Sequence, residues 1–323
     1  MEPESPAQPS PARWPFGRDA GLLALAIVAV SFSAILARWT LAPALTLAFW
    51  RTFGGGLLLL PGFVRATRST TARWTKGDLA WVATGGAALA VHFWSWLESL
   101  NHTSVAVSVT LVTTTPFFVA LAERIAGRKL APRSQLALLV ALAGAVVLGS
   151  SSGPDDLAET TGRLDPNPLL GAGLAIVGAA AMAVYLLAGA RLRRTPSAPA
   201  STAPLFLVAA AGLFSAAVVS GVNVLDLRPL DWLIVGGMIL GPQLGGHAVL
   251  NHVVGRMGAM TVSLALLAEP VASTLLAWLL LSEQPTPAAV IGGLIVLGGL
   301  TLRALDARSG RDQSTSRAAE RTS

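Results

Sequence analysis

Charged residues in the middle of apolar segments are the residues of this sequence best placed to do chemistry. Arg51 lies about nine residues into one apolar run, and Glu269 lies in the middle of another, immediately before Pro270. A charge in hydrocarbon is costly unless it is paired or hydrated. Arg51 therefore pairs with a carboxylate or helix carbonyls, binds a substrate carboxylate, or snorkels toward an interface. Glu269 binds a cation or proton beside the backbone break at Pro270, or forms a structural ion pair with Arg51.

Histidines and threonines in other apolar runs extend this set. His92 and His247 are able to titrate near neutral pH, although packing with one satisfied hydrogen bond also explains a buried imidazole. Thr114 and Thr115, in a run of three threonines, offer hydroxyls to a polar solute or bond their own helix. We interpret the following residues as candidates for substrate binding or coupling: Arg51, His92, Trp94, Thr114, Thr115, Gln243, His247 and Glu269.

Two prolines are candidate hinges, and several candidates together are expected to line a cavity. Pro116 and Pro270 each lie within a long apolar run, where proline removes a backbone hydrogen bond. Gln243, Trp94 and Trp96 are candidate cavity-lining residues, although tryptophan is equally at home at the membrane interface. None of the candidates has the spacing of metal ligands, and the chain has no cysteine. We therefore expect no metal and no cofactor.

The elements that must position these residues are membrane-spanning helices. Of the 323 residues, 53% are hydrophobic and 12% are charged, against roughly a quarter charged in a soluble domain. The apolar runs have the length of about 20 residues that a helix needs to cross a bilayer. Ten spans are predicted, at about 20–37, 42–64, 79–99, 103–123, 134–151, 168–190, 204–222, 231–249, 258–281 and 287–304. The fold class is thus an all-α integral membrane protein.

The chain divides into two five-helix repeats with polar segments around them. Leu100-Asn101-His102 recurs as Leu250-Asn251-His252, a separation of 150 residues, and Pro116 recurs as Pro270 at a separation of 154. Because each copy has an odd number of spans, the two copies must be inverted in the membrane. The predicted units are a disordered tail over 1–19, repeats over 20–151 and 168–305, a polar linker over 152–167 and a second disordered tail over 306–323.

Positive residues set the orientation, because cytoplasmic loops retain lysine and arginine. With the N-terminus in the cytoplasm, 19 of the 23 basic residues fall on the cytoplasmic side, three on the other side, and Arg51 alone inside a span. We therefore expect a multi-pass protein of the cytoplasmic membrane with both termini in the cytoplasm. The net charge of +6 is explained by topology, so no nucleic-acid partner is expected.

Two segments carry a resemblance to a known family. In the segment over 266–300, Pro270 is followed 13 residues later by Glu283 and then by a glycine-rich helix. This pattern resembles the end of an EamA repeat of the drug/metabolite transporter superfamily. The segment over 113–149 is similar but has Lys129 where the family often has that glutamate. The resemblance implies ten helices in two inverted halves and a carrier that exports amino acids, drugs, nucleotide sugars or other metabolites.

Other function classes are less compatible with the sequence. No Gly-Lys-Ser/Thr loop is present, which disfavours an ATP-driven pump, and no nucleophile-and-base or metal motif indicates an enzyme. The expected function is secondary export of a small metabolite by alternating access between the two halves. The alternative is a lipid or lipid-linked-solute flippase, in which Arg51 meets a phosphate. The expected partners are a small solute and the bilayer, and the oligomeric state is left open.

Overall fold

The structure is a computed structural model that describes residues 18–69, 74–103, 105–127, 132–149, 167–192, 198–281 and 284–302. Within these ranges all regular structure is helical. The predicted tails and linker lie outside the described residues, except for Arg18, Asp19 and Asn167, and so do Lys129 and Glu283.

The first half contains six helices, α1 to α6. They run over Arg18–Arg38, Ala44–Arg68, Lys76–Ser99, Val105–Val112, Thr115–Ile125 and Pro132–Gly149.

The second half contains α7 to α13 and one π-helical stretch, which we call the π segment. In chain order these are α7 Pro168–Leu192, α8 Ala198–Val219, α9 Pro229–Met238, the π segment Ile239–Ala248, α10 Val249–Met257, α11 Ala259–Leu266, α12 Glu269–Leu281 and α13 Pro287–Leu302.

Seven helical runs in the described residues are long and apolar enough to cross a membrane. They are Arg18–Arg38, Ala44–Arg68, Val105–Ile125, Pro168–Leu192, Ser201–Val219, Pro229–Met257 and Ala259–Leu280. They confirm seven of the ten predicted spans. The other three correspond to α3, which carries more polar side chains, and to the shorter apolar helices Pro132–Val147 and Pro287–Leu302. That these three helices cross the membrane stays a prediction.

Two spans are broken at their prolines, in the same way in both halves. α4 ends at Val112, four residues before Pro116, and α11 ends at Leu266, four residues before Pro270. This spacing has a direct cause, because the proline ring clashes with the carbonyl four residues earlier and cannot donate to it. Two turn residues follow each break before the helix resumes as α5 or α12. Each break exposes backbone groups and side chains that a continuous helix would cover.

Packing between the halves follows a matched pattern. α1 packs against the π segment and α12, and its counterpart α7 packs against the corresponding elements α3 and α5, as well as against α4. α2 packs against its own counterpart α8. In addition, α4 contacts α12, and α5 contacts α11. The two broken spans therefore touch each other twice, once on each side of their breaks.

Two glycines allow α6 and α13 to approach each other closely. A Cβ added to Gly144 would lie 2.6 Å from the backbone nitrogen of Val296, and one added to Gly299 would lie 2.7 Å from that of Ala141. Small residues commonly allow membrane helices to pack at such distances.

The second half also contains a longer third span than the first. α3 ends at Ser99 and five residues separate it from α4, whereas α10 continues to Met257 and a single residue, Gly258, precedes α11. Gly258 has φ +79° and ψ 154°, a conformation that is essentially restricted to glycine. The four extra residues of the second copy between its Asn251 and Pro270 therefore lengthen a helix and not a loop.

Candidate functional site

A cavity lies where the two broken spans meet α1, α3, α7, α10 and the π segment. It encloses about 400 Å³ of empty space, including its open mouth. Its lining comes from both halves and mixes apolar with polar side chains. The lining residues are Val30, Ser33, His92, Trp96, Val112, Thr113, Thr115, Met182, His247, Leu250, Leu266 and Glu269.

His92 and Trp96 form the wall that α3 contributes. They are one helical turn apart and therefore share a face, and their rings lie nearly parallel, at 7° with centroids 6.4 Å apart. His92 Nδ1 lies 2.9 Å from the carbonyl oxygen of Gly178 in α7. Because a carbonyl oxygen accepts and does not donate, Nδ1 carries the proton, and Nε2 is the acceptor in a neutral ring.

His247 faces His92 from the π segment. The two imidazole centroids are 5.9 Å apart, and the centroids of His247 and Phe93 are 4.7 Å apart with their rings nearly perpendicular, at 76°. Nδ1 of His247 is buried and has no hydrogen-bond partner within the part of the chain that the structure describes. A buried polar atom of this kind is costly to leave unmatched, so it favours a partner from a solute or from water.

Arg51 lies behind the cavity wall and not in its lining. The side chain, in α2, is 0% exposed. Its Nε donates to Oε1 of Gln243 in the π segment at 2.9 Å, and its Cζ lies 4.0 Å from the centroid of the Phe93 ring. Nη1 and Nη2 are buried without hydrogen-bond partners among the described residues. Arg51 thus links the two halves through Gln243 and places a positive charge close behind the site.

Glu269 is the acidic residue of the cavity lining. It is the first residue of α12, directly after the break and immediately before Pro270, and its side chain is partly exposed. It interacts electrostatically with Arg51, but no ion pair within 4.0 Å joins the two in the described structure. At the N-terminus of a helix, the carboxylate is also stabilised by the positive end of the helix dipole.

Two of the three threonines at the first break line the cavity. Thr113 and Thr115 are buried and line it, and both hydroxyls donate to carbonyls of α4, at 2.9 Å. Thr115 also lies 3.3 Å from the carbonyl of Ala179 in α7. Thr114 is outside the lining and donates to the carbonyl of Leu111 at 2.7 Å. The hydroxyl oxygens of Thr113 and Thr115 remain able to accept hydrogen bonds from a solute.

The structure therefore brings together part of the predicted set. His92, Thr115, His247 and Glu269 meet around one cavity, with Pro116 and Pro270 at the two breaks beside it. Arg51 and Gln243 bind each other behind the wall. Their role in solute binding stays a prediction.

Trp94 lies apart from this group. It is 38% exposed and outside the lining, because two residues along a helix turn the side chain about 200° from His92. Of the two tryptophans predicted to line a cavity, Trp96 is in this lining and Trp94 is not, so a role of Trp94 in solute binding stays a prediction.

Two of the lining residues could not be predicted from the sequence. Ser33 of α1 and Met182 of α7 contribute to the cavity, but nothing in their sequence context separates them from ordinary packing residues. Trp96, in contrast, was among the residues predicted to line a cavity.

Comparison with known proteins identifies the family. A profile of the EamA-like transporter family matches residues 20–150 and again residues 169–304. The chain belongs to the EamA-like transporter family. EamA-like transporters carry small solutes across membranes and are not enzymes. The protein is accordingly a multi-pass membrane transporter of small solutes, and the predicted absence of enzyme activity is confirmed by the family.

The fold has relatives among solved structures. A structure named "Crystal structure of protein" aligns with this EamA-like chain with a TM-score of 0.67 and 23% sequence identity, covering 90% of this chain and 98% of that one. At this identity the likeness concerns the fold alone. A comparison with curated proteins finds no match.

Proposed function

We propose that this EamA-like protein exports a small metabolite across the cell membrane by alternating access, with the solute bound in the cavity at the two helix breaks. The observation that carries the proposal is the position of that cavity. It lies between the α4–α12 contact and the α5–α11 contact, and residues from both breaks line it. A transporter needs such a site between two gates.

The two contacts act as the gates in this mechanism. In the proposed orientation, α4 and α12 lie in the outer half of the membrane and α5 and α11 in the inner half. Opening the first contact exposes the cavity to the outside, and opening the second exposes it to the cytoplasm. Pro116 and Pro270 permit these motions, because each break removes the backbone hydrogen bonds that would hold the two parts of a span rigid.

The topology that we propose has ten spans in two inverted halves, with both termini in the cytoplasm. Seven of the ten spans are the long apolar runs, and the other three are α3, α6 and α13. Each of these three helices lies next to at least one of the long runs in the chain. The distribution of 19 basic residues on one side and three on the other supports this orientation. The matched packing of α1 and α7 supports the internal symmetry.

Four predicted residues are proposed to contact the solute: His92, Thr115, His247 and Glu269. Arg51 and Gln243 are proposed as positioning residues, since they join the halves behind the wall. Removing the Arg51 side chain would leave Gln243 without its hydrogen-bond partner and Glu269 without the nearby positive charge. It would therefore alter the site although Arg51 does not contact the solute. The comparisons give no support to the flippase alternative.

Transport by purified protein in liposomes tests the proposal. Vesicles are loaded with a labelled metabolite pool, and efflux is compared for wild type, Glu269→Gln and Glu98→Gln. Glu98 is the matched control, because it is a partly exposed carboxylate at the end of α3, 3.4 Å from His102 and outside the cavity lining. We expect one or more solutes to leave with wild type and Glu98→Gln, and at least tenfold slower efflux with Glu269→Gln.

A second pair of variants locates the solute. Trp96→Phe changes the cavity wall, whereas Trp94→Phe makes the same change on the exposed side of α3. A lower apparent affinity is expected for Trp96→Phe alone. Equal effects of both variants, or movement of labelled lipid headgroups with no solute movement, would contradict the proposal.

Cysteine cross-linking tests alternating access, and the cysteine-free chain makes it direct. One cysteine pair is placed across α4 and α12 and another across α5 and α11. Each cross-link should stop transport and be reversed by a reductant. Transport that persists with both pairs closed would exclude this mechanism.

A further inference from the structure

We propose that the solute is a monocation, a protonated amine with an apolar body, and that the cavity selects against carboxylates. This inference rests on the proposed function, because it names the substrate class of the same site. It follows from which charges face the cavity and which are withdrawn from it.

Glu269 supplies the formal negative charge of the lining. Of the twelve lining residues, the others are the two histidines, two threonines, one serine and apolar or aromatic residues, with no lysine or arginine among them. Glu269 is partly exposed, and its carboxylate has neither a hydrogen-bond nor an ion-pair partner in the described structure. An ammonium group entering the cavity therefore meets an accessible counter-ion.

Arg51 does not provide an equivalent site for an anion. Its guanidinium is 0% exposed and is fixed on two sides, by the hydrogen bond to Gln243 and by the ring of Phe93. A carboxylate in the cavity would have to displace the wall to reach it. The same carboxylate would also stand near Glu269 and pay the repulsion of like charges in a site of low dielectric.

The positive charge of Arg51 has a second effect. It interacts electrostatically with Glu269 without forming an ion pair with it in the described structure, and so it leaves the carboxylate accessible to the solute. A bound ammonium group then meets the Glu269 carboxylate from the open side of the cavity. A second positive charge on the solute would lack a counter-ion, which is why the inference specifies a monocation.

The remaining lining suits an ammonium group attached to an apolar body. The Trp96 ring lies in the wall, and aromatic faces attract ammonium groups. Thr113 and Thr115 have hydroxyl oxygens that accept hydrogen bonds, as does a neutral His92 through Nε2. Val30, Val112, Met182, Leu250 and Leu266 supply the apolar part of the cavity.

Three compounds that share one branched apolar body separate the possibilities: 3-methylbutylamine, leucine and 4-methylpentanoate. They carry respectively a cation, a zwitterion and an anion on the same apolar body. Binding to purified full-length protein in detergent is titrated through the shift in melting temperature. We expect the amine to bind about tenfold or more tightly than either carboxylate-bearing compound.

Variants of Glu269 test the cause of this preference. Glu269→Gln should lower affinity for the amine about tenfold, while Glu269→Asp and the control Glu98→Gln should keep the order of the three compounds. The melting temperature without ligand shows whether each variant is folded. If Glu269→Gln is unfolded, the ratio among the three compounds in wild type and Glu269→Asp still decides.

Transport of a permanently charged analogue distinguishes this inference from the proposed function. (3-Methylbutyl)trimethylammonium cannot cross lipid by losing a proton, so its efflux from liposomes reports the protein. Tighter binding or faster transport of leucine or 4-methylpentanoate would overturn the charge assignment and leave the transporter function standing. Absence of transport of every solute, with selective amine binding retained, would overturn the transporter function and leave the binding site standing.

Discussion

The contact between α6 and α13 gives a stability prediction with a control at the next residue. Gly299 is buried against α6, and a Cβ there would lie 2.7 Å from the nitrogen of Ala141, 2.8 Å from its Cβ and 2.9 Å from the oxygen of Ala137. None of these three atoms can move away by a side-chain rotation. Gly298 is exposed, and a Cβ at that position meets nothing within 4 Å.

The magnitude for Gly299→Ala follows from the distance that the helices must separate. Ordinary contact begins at 3.4 Å, so the shortest contact of 2.7 Å requires an increase of 0.7 Å between two packed backbones. Overpacking of this kind costs about 1–3 kcal/mol. Gly298→Ala, in contrast, should be neutral or stabilising by up to about 1 kcal/mol, because alanine favours the helix over glycine.

The assay is thermal unfolding of the purified protein, followed by its intrinsic tryptophan fluorescence. Gly299→Ala is expected to lower the melting temperature by roughly 2–12 °C at about 2–4 °C per kcal/mol, and Gly298→Ala to leave it unchanged or slightly raised. Gly144→Ala should resemble Gly299→Ala, because its Cβ would lie 2.6 Å from a backbone nitrogen of α13. Equal melting temperatures for the variants at 298 and 299 would refute the close contact.

Three further predictions use the same assay. Thr40→Val removes the 2.7 Å hydrogen bond to the buried carboxylate of Asp231, and it should cost about 1–3 kcal/mol; an unchanged stability would show that water replaces the hydroxyl. Gly258→Ala forces a side chain into φ +79° and should cost about 1–3 kcal/mol, whereas Gly236→Ala, with open space at Cβ, should not. Trp50→Phe loses the indole donor to a loop carbonyl at 2.7 Å and should cost about 1 kcal/mol, and a more stable variant would contradict that bond.

Much of the fold could be predicted from the sequence, because the length of an apolar run and the effect of a proline ring on its helix are local properties. The predicted span over 103–123 corresponds to α4 and α5, and that over 258–281 to α11 and α12. The breaks within them follow from the ring of proline alone. The profile match to both halves also agrees with the repeat seen in the sequence.

The π segment Ile239–Ala248 was not predicted. It contains Pro242 and two adjacent glycines, a composition that weakens a regular helix, and it packs against α1 and α2. The predicted end of that span at 249 was also too early, since α10 continues to Met257.

The polar residues of the site could be predicted from the sequence, but their orientation toward the cavity could not. An ionisable residue in an apolar run, such as Glu269, is conspicuous because hydrocarbon penalises it. Whether such a residue faces a cavity or the wall behind it depends on helix rotation and on distant partners. Arg51 illustrates this limit, because its partner Gln243 is 192 residues away in the chain.

That separation has a consequence for biogenesis. Ribosomes extend a chain by about 5–20 residues per second, so roughly 10–40 s pass between synthesis of Arg51 and synthesis of the glutamine 192 residues later. During this interval the second helix carries an arginine whose later hydrogen-bond partner does not yet exist. The newly made first half must therefore keep this side chain hydrated, at the edge of the bilayer or in the insertion machinery, until the second half arrives. Cells that make the two halves as separate polypeptides would lengthen this exposed stage, and the first half alone should be a preferred substrate for membrane proteases.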